Sequence, residues 1–351
     1  MEPVALGLIG CGVIGRHHMA AASRSPLIRV AAVADLIETK AREVADQYGV
    51  PKRYSEGADL LDDGEIEAVV LAFPAVGRLP LALKAFSRGI HVLTEKPVAM
   101  NAGQVAQMIA ARGALTAGCC SSRYRFLPSA QAVTEFIATG ALGELRVIRA
   151  RNLTAAGAPP AAAPPTWRLR RGENGGGILM NWGCYDLDYL LGVTGWSLKP
   201  ELVLSQTWTL PSHYASRAAP NSDAETHLAA LIRCAGGAVI TYERGEFMAG
   251  RADSAWEIAG SHGTLRLRMV NEKDKVITFD AADSERGVVS SVVWEGEEDA
   301  TRVHDGPAQD FCAAIRAGRP PKTSLEQALV VQQISDAIYR SAELGRAVEV
   351  G

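Results

Sequence analysis

Val4-Ala-Leu-Gly-Leu-Ile-Gly-Cys-Gly-Val-Ile-Gly15 opens with a short apolar run, Val4 to Ile9, that passes without a gap into Gly10-x-Gly12-x-x-Gly15. Such a run suits a central parallel strand buried on both faces. The glycines have separate tasks. The first turns tightly, the second lets the backbone approach phosphate oxygens, and the third lets the following helix pack close to the strand. A helix follows, its free N–H groups and positive dipole end toward an anion, and Val13 and Ile14 are expected with the glycines to contact the cofactor. Glycine is abundant in this chain, at 34 residues, so the loop takes its meaning from its surroundings. A second apolar run, Val30-Ala-Ala-Val-Ala34, ends in Asp35. This lies about 20 residues past the third glycine, where a carboxylate accepts hydrogen bonds from an adenosine ribose. Leu36 and Ile37 follow, not the arginine that would hold a 2′-phosphate, so NAD is expected as cofactor in preference to NADP.

The chain has 351 residues, 48% of them apolar and 21% charged, with a formal net charge of −3. Two domains are the natural expectation at this length. The charge balance offers no field that would attract nucleic acid or an anionic membrane. No apolar run approaches the roughly 20 residues that span a bilayer, and the first strand starts too early to leave room for a signal peptide. A cytoplasmic protein is expected. Cys11, Cys119, Cys120, Cys184, Cys234 and Cys312 lack metal-ligand spacing and read as buried thiols.

Strand, turn and helix alternate through the first third. Glu38 to Tyr48 reads as a helix and Arg53-Tyr54 as an edge strand. Glu67 to Phe73 is a strand stopped by Pro74, Leu79 to Arg88 a helix closed by Gly89, and His91 to Thr94 a further strand. The pattern is that of a doubly wound parallel sheet, a Rossmann domain over residues 1–121. Ligands of such sheets lie beyond the carboxyl ends of the strands, where Phe73, Pro74, Glu95 and Lys96 arrive.

Those strand ends, with Gly10-Cys-Gly-Val-Ile-Gly15, Asp35, Glu95-Lys96-Pro97, Trp167-Arg168, Gly175-Gly-Gly177 and Gly183-x-x-Asp-x-Asp188, resemble the glucose-fructose oxidoreductase and inositol dehydrogenase (Gfo/Idh/MocA) family over nearly the whole chain. The resemblance implies that Lys96 stands beside the nicotinamide and the reacting hydroxyl, with Pro97 fixing the backbone that aims it.

Residues 122–351 read as a second, α+β domain for substrate binding and oligomerisation, its last helix, Ser324 to Leu344, free to pack back on the first domain. Arg123-Tyr-Arg125 opens it. Ala155 to Pro165 is an Ala/Pro-rich loop, and Trp167-Arg-Leu-Arg-Arg171 follows, either a hold on substrate or phosphate or an exposed basic turn. The second chemical stretch is Gly175 to Asp188. Asn181 and Tyr185 are four apart, so a helix projects them from one face. The resemblance places a carboxylate and a histidine at these two positions in most members, and a tyrosine at the second in some. Tyr185 thereby stays an acid/base candidate, whereas asparagine orients a hydroxyl without exchanging its proton. A tyrosine needs a neighbouring cation to act as base near neutral pH, and Lys96 is the natural partner. Arg125, Trp167, Arg168, Asn181, Tyr185 and Lys96 are the candidate substrate contacts. Asp188 reads equally as a substrate contact or a structural group. Arg78 reads as a solvated residue at a helix start, with recognition of an acidic substrate as the other option.

Beyond residue 200, runs of period two (202–209, 227–234, 238–247, 255–259, 264–269 and 275–279) point to one large, mainly antiparallel sheet. Trp208, Tyr242 and Phe247 are expected to line its open face, through which the chain would form a homodimer or homotetramer. No metal site is expected. The functional expectation is an NAD-dependent oxidoreductase moving hydride between nicotinamide and a secondary hydroxyl or ketone of a sugar or cyclitol, with Lys96, Tyr185 and Asn181 at the chemistry. Two other readings stay open: a redox-neutral glycoside-cleaving enzyme that keeps its NAD, and a non-catalytic sensor of dinucleotide and sugar.

Overall fold

The structure is a computed structural model that describes residues 2–162 and 164–351. The chain divides into two compact units, residues 1–123 with 301–332 and residues 124–300 with 333–351. The division expected at 121/122 lies two residues away, and residues 301–332 join the first unit.

In the first unit, β1 (Val4–Ile9), β2 (Ile28–Ala34), β3 (Lys52–Tyr54), β4 (Ala68–Leu71), β5 (His91–Thr94) and β6 (Ala117–Cys119) form a parallel sheet in the order β3-β2-β1-β4-β5-β6. All six residues of β1 are buried, as a strand covered on both faces requires. Its side chains divide between two cores. Val4, Leu6 and Leu8 pack with α1 (Val13–Ser23) and α2 (Glu38–Tyr48), while Ala5 and Ile9 face α3 (Gly57–Asp62), α4 (Arg78–Ser87) and α5 (Ala102–Arg112). Crossovers from one parallel strand to the next need helices, which the alternation of patterns supplies. All six cysteines of the chain are buried.

In the second unit, α6 (Pro128–Ala138) precedes β7 (Leu145–Ala155), and no helix or strand occurs among the described residues from 156 to 170. A four-residue turn of helix, α7 (Arg171–Asn174), leads to a π-helical turn, Leu179–Gly183, that continues into α8 (Cys184–Val193). The strands β8 (Pro200–Thr209), β9 (Glu225–Cys234), β10 (Val239–Met248), β11 (Asp253–Gly260), β12 (Gly263–Arg266), β13 (Lys275–Asp283) and β14 (Gly287–Gly296) complete a sheet with β7. After α9 (Asp305–Ala317) and α10 (Leu325–Leu344), β15 (Val348–Glu349) adds its far edge. The order is β14-β13-β12-β11-β7-β10-β9-β8-β15, antiparallel except between β7 and β10. Every residue of α8 is buried, and Tyr189 meets Trp256 of β11 edge-on with centroids 6.0 Å apart.

The sheet's two faces correct one expectation. Ile240, Tyr242 and Arg244 share the buried parity of β10, so Tyr242 lies under α8 and not on the open face. The reason is a polar anchor, since its hydroxyl donates to Asp186 Oδ2 at 2.8 Å. Trp208 is on the open face as expected, 45% exposed and stacked on His227. Phe247 has a φ of 58° where β10 shifts register against β7, and it is half-buried.

Candidate functional site

The glycine loop has the shape its sequence implies. Gly10 takes a φ of +100°, a conformation that favours glycine, and any Cβ there would overlap the Ala72 carbonyl. A Cβ on Gly15 would overlap the Gly10 carbonyl, so α1 could not pack as closely. At Gly12 a Cβ would meet nothing within 4 Å. The protein itself leaves that space open at the start of α1, and Val13 beside it is 80% exposed. First-turn N–H groups of a helix have no partner within the helix, so this is a fit for an anionic pyrophosphate. Asp35, at the end of β2, is held as an acceptor by Cys11 N–H at 2.8 Å and Ile37 N–H at 2.8 Å. Leu36 beside it is 78% exposed.

The carboxyl end of β5 carries the second feature. Glu95 is 2% exposed. Its Oε1 faces His18 Nε2 at 3.0 Å and accepts from Arg123 Nη2 at 3.0 Å, while Oε2 accepts from the Lys96 N–H at 3.1 Å. Burial by itself would raise this carboxyl, but Arg123 and His18 outweigh it and hold Glu95 well below the usual carboxylate range. Glu95, expected to contact the cofactor, thus turns its carboxylate into the unit and fixes the turn that carries Lys96. The Lys96-Pro97 peptide is cis, and Lys96 is half-buried. Among the described residues His18, Glu95 and Cys120 bring potential ligand atoms within 4.8 Å of one another. The Arg123 guanidinium already brings to the Glu95 oxygen the positive charge that a metal ion would supply.

Phe73 and Pro74, past the end of β4, are half-buried. Arg78 corrects the sequence reading. It is 3% exposed, neither a solvated helix-start residue nor a group presented to an acidic substrate. Its Nε donates to the Phe73 carbonyl at 2.8 Å, and its Nη1 donates to the carbonyls of Glu95 and Pro97.

In the second unit, the Gly175-Gly-Gly177 break lets the chain press against β9. A Cβ at 177 would overlap the Glu225 carbonyl oxygen. The side chain of Glu225, fully buried, accepts from Gly177 N–H at 2.9 Å, Leu179 N–H at 3.0 Å and Tyr339 Oη–H at 2.8 Å. Burial pushes its carboxyl up. This residue caps the helical segment that presents Asn181 and Tyr185, and the sequence did not single it out.

Asn181 lies in the π-helical turn, its N–H donating to the Gly177 carbonyl at 2.9 Å. Single π turns inserted in α-helices recur at functional sites. Tyr185, 3% exposed, meets Tyr124 edge-on at 5.4 Å and Trp182 at 5.7 Å. Trp182 lies under the Arg244 guanidinium at 4.5 Å, and Arg244 reaches Asp186 at 3.4 Å. Asp188 is fully buried and accepts from Arg125 Nε at 2.6 Å. Arg125, a candidate substrate contact, thus pairs with α8 and lies 5.5 Å over the Trp196 ring. Trp167 is 38% exposed. Arg168 is no loose basic residue, because it pairs with Glu246, whose own carboxyl burial pushes up.

Two family models match the chain. Residues 4–117 match the oxidoreductase family with an NAD-binding Rossmann fold, and residues 130–266 match the GFO/IDH/MocA C-terminal domain. The rhizopine catabolism protein MocA of Rhizobium meliloti is 28% identical over 200 residues, which cover 54% of this chain and 57% of that protein. The chain therefore spans little more than half of that relative's length in the match. Levoglucosan dehydrogenase of Pseudarthrobacter phenanthrenivorans is 24% identical over 392 aligned positions, covering 100% of this chain and 99% of that one. A solved structure of levoglucosan dehydrogenase with NADH and levoglucosan has a TM-score of 0.85 at 22% identity over 100% of both chains, a likeness of fold. No helix of the described residues is long and apolar enough to cross a membrane.

Proposed function

This chain belongs to the Gfo/Idh/MocA family of NAD-binding oxidoreductases, and we propose that it oxidises a secondary hydroxyl of a sugar or cyclitol, or reduces the corresponding ketone. The observation that carries this reading is the Lys96 turn, built at the carboxyl end of β5 on the buried Glu95 anion. NAD, when bound, accepts or returns the two electrons and the hydrogen exchanged with the substrate carbon. Gly12, Val13 and Ile14 would hold its pyrophosphate and Asp35 its adenosine ribose. The fixed Asp35 carboxylate and the apolar Leu36 beside it favour NAD over NADP, since a 2′-phosphate would meet a negative charge.

Oxidising an alcohol requires that its O–H proton leave, and a base must lie within hydrogen-bond reach of that oxygen. We assign that task to Lys96 and Tyr185, with Asn181 orienting the hydroxyl or carbonyl. An ammonium near a phenol favours the phenolate and so lowers the cost of proton removal. Trp167 and Arg168 are proposed as further substrate contacts. The open face of the second sheet exposes Trp208, and also Leu204 and Leu231, which line a shallow depression of about 710 Å³. Exposed apolar surface of this kind favours a homodimer or homotetramer through that face.

The test is a panel of sugars and cyclitols, levoglucosan among them, offered to the NAD-loaded protein while reduced-nicotinamide absorbance is followed. Turnover is expected, and Lys96→Met and Tyr185→Phe should each lower kcat by about 10²-fold or more with dinucleotide affinity preserved. Glycoside cleavage with no net NADH, or binding with no reaction, would replace this reading with the redox-neutral or the sensor one. Wild-type rates in Lys96→Met would remove Lys96 from the chemistry.

A further inference from the structure

The side chain of Arg78, the first residue of α4, folds back over the carboxyl ends of β4 and β5. Its donors are spread over main-chain oxygens from both strand ends. Nε reaches the Phe73 carbonyl at 2.8 Å and Nη2 reaches it as well, Nη1 bonds the Glu95 and Pro97 carbonyls, and Nη2 approaches the Lys96 carbonyl at 3.5 Å. Three consecutive carbonyls, with Lys96 in the middle, thus point at one planar group. Only a guanidinium offers five donors in a fixed plane. An ammonium gathers three at a point, and the amide and hydroxyl side chains offer fewer.

We propose that Arg78 is a positioning residue, which fixes the main chain on both sides of Lys96 and so sets the direction in which the lysine side chain leaves the turn. Because the same group also holds the Phe73 carbonyl, it sets the spacing between the two strand ends that the dinucleotide-binding sheet offers at this edge. The proposal rests on the reading of Lys96 as a proton-handling group. Its physical warrant is that a catalytic group misplaced by about 1 Å loses roughly 10²-fold in rate, and that a buried cation here bonds main-chain oxygens of that turn and of the neighbouring strand end.

The test uses the full chain with NAD bound, comparing Arg78→Lys and Arg78→Gln with the unaltered protein in two measurements. The first needs no substrate. Lys96 is acylated by a dilute N-hydroxysuccinimide ester and its rate read by mass spectrometry, with the exposed Lys199 and Lys273 as references. The expected result is a change of about fivefold or more at Lys96 alone, smaller for Arg78→Lys than for Arg78→Gln. The second is steady-state turnover of the sugar that the unaltered enzyme oxidises fastest. Here kcat should fall by about 30-fold or more while NAD affinity stays within about threefold. The primary deuterium isotope effect on kcat should rise, because slowed chemistry, unlike a smaller fraction of active molecules, makes the hydrogen-transfer step more rate-limiting.

Lys96 acylation at the original rate in both variants overturns the proposal, and so does a faster rate at Lys199 and Lys273 together with Lys96, which would mean general loosening. If no sugar is turned over, the proposed reaction fails on its own and the acylation measurement still decides the role of Arg78.

Discussion

Replacing Glu225 by alanine should detach the start of the helical segment that carries Asn181 and Tyr185. The carboxylate accepts from three donors, the N–H groups of Gly177 and Leu179 and the hydroxyl of Tyr339, at 2.8 to 3.0 Å. An unpaired buried donor costs about 1–3 kcal/mol, so three of them put the loss at about 3 kcal/mol or more. Glu225→Gln keeps the volume and one acceptor oxygen, which already serves all three donors through Oε1. The amide nitrogen that replaces Oε2 would, however, face the Gly177 N–H, so the cost of this variant should be about 1–2 kcal/mol, still below that of Glu225→Ala. The two variants also separate by pH. Burial raises the Glu225 carboxyl in the folded state. Its contribution to stability is then complete below the unfolded value and is lost as pH rises through the folded one. The stability of Glu225→Gln relative to the unaltered protein should accordingly increase as pH rises across that window. Urea unfolding gives the free energies, and hydrogen exchange of the peptide around residues 175–183 reports the amides of Gly177 and Leu179 directly. The reasoning fails if Glu225→Ala loses less than about 1 kcal/mol and those amides keep their protection.

Three further outcomes follow from the same geometry. Gly12→Ala should leave thermal stability unchanged, because a Cβ there meets no protein atom within 4 Å, yet weaken NAD binding by about tenfold or more in a titration followed by NADH fluorescence. Gly177→Ala, by contrast, should fail to give a folded second unit in circular dichroism and gel filtration, since the added methyl would overlap β9. His304, which burial first and then Arg123 hold down to about 3, resists protonation in the folded state. Folding should therefore lose stability as pH falls from the ordinary histidine value toward that figure, by at most about 1 kcal/mol per pH unit for a ring that is only partly sequestered. Urea unfolding of His304→Gln should show a correspondingly flatter acid limb.

The parallel sheet was legible because each of its strands announces itself: continuous apolar residues, a Gly or Pro stop, then a helical period. What escaped the sequence depends on contacts between distant segments. Arg78 stands at a helix start, where charged residues are usually solvated, and nothing local tells that it folds back onto carbonyls 17 to 19 residues away. Glu225 reads as one acidic residue before a strand, and its role appears only when residues 177, 179 and 339 converge on it. Tyr242 was placed on the wrong face because β10 buries Arg244 along with it, and a parity carrying arginine looks exposed until Asp186 and Trp182 are seen to receive it. β14 went unread since Val288-Val-Ser-Ser-Val-Val293 groups its apolar residues in pairs, which matches neither a period of two nor one of 3.6.

The unit that binds dinucleotide is not a contiguous stretch of the polypeptide. Phe311, Cys312 and Ala308 of α9 belong to the same core as Val4, Leu6 and Met19, and truncating one buried phenylalanine alone typically costs about 3–5 kcal/mol. During synthesis the amino-terminal sheet must therefore wait, with that apolar surface uncovered, until residues 124–300 have been made and α9 leaves the ribosome. A gene fragment ending near residue 123 would encode a nucleotide cradle with an open flank, prone to aggregate. Anyone seeking the isolated cofactor module would do better to splice residues 301–332 onto it by a short linker.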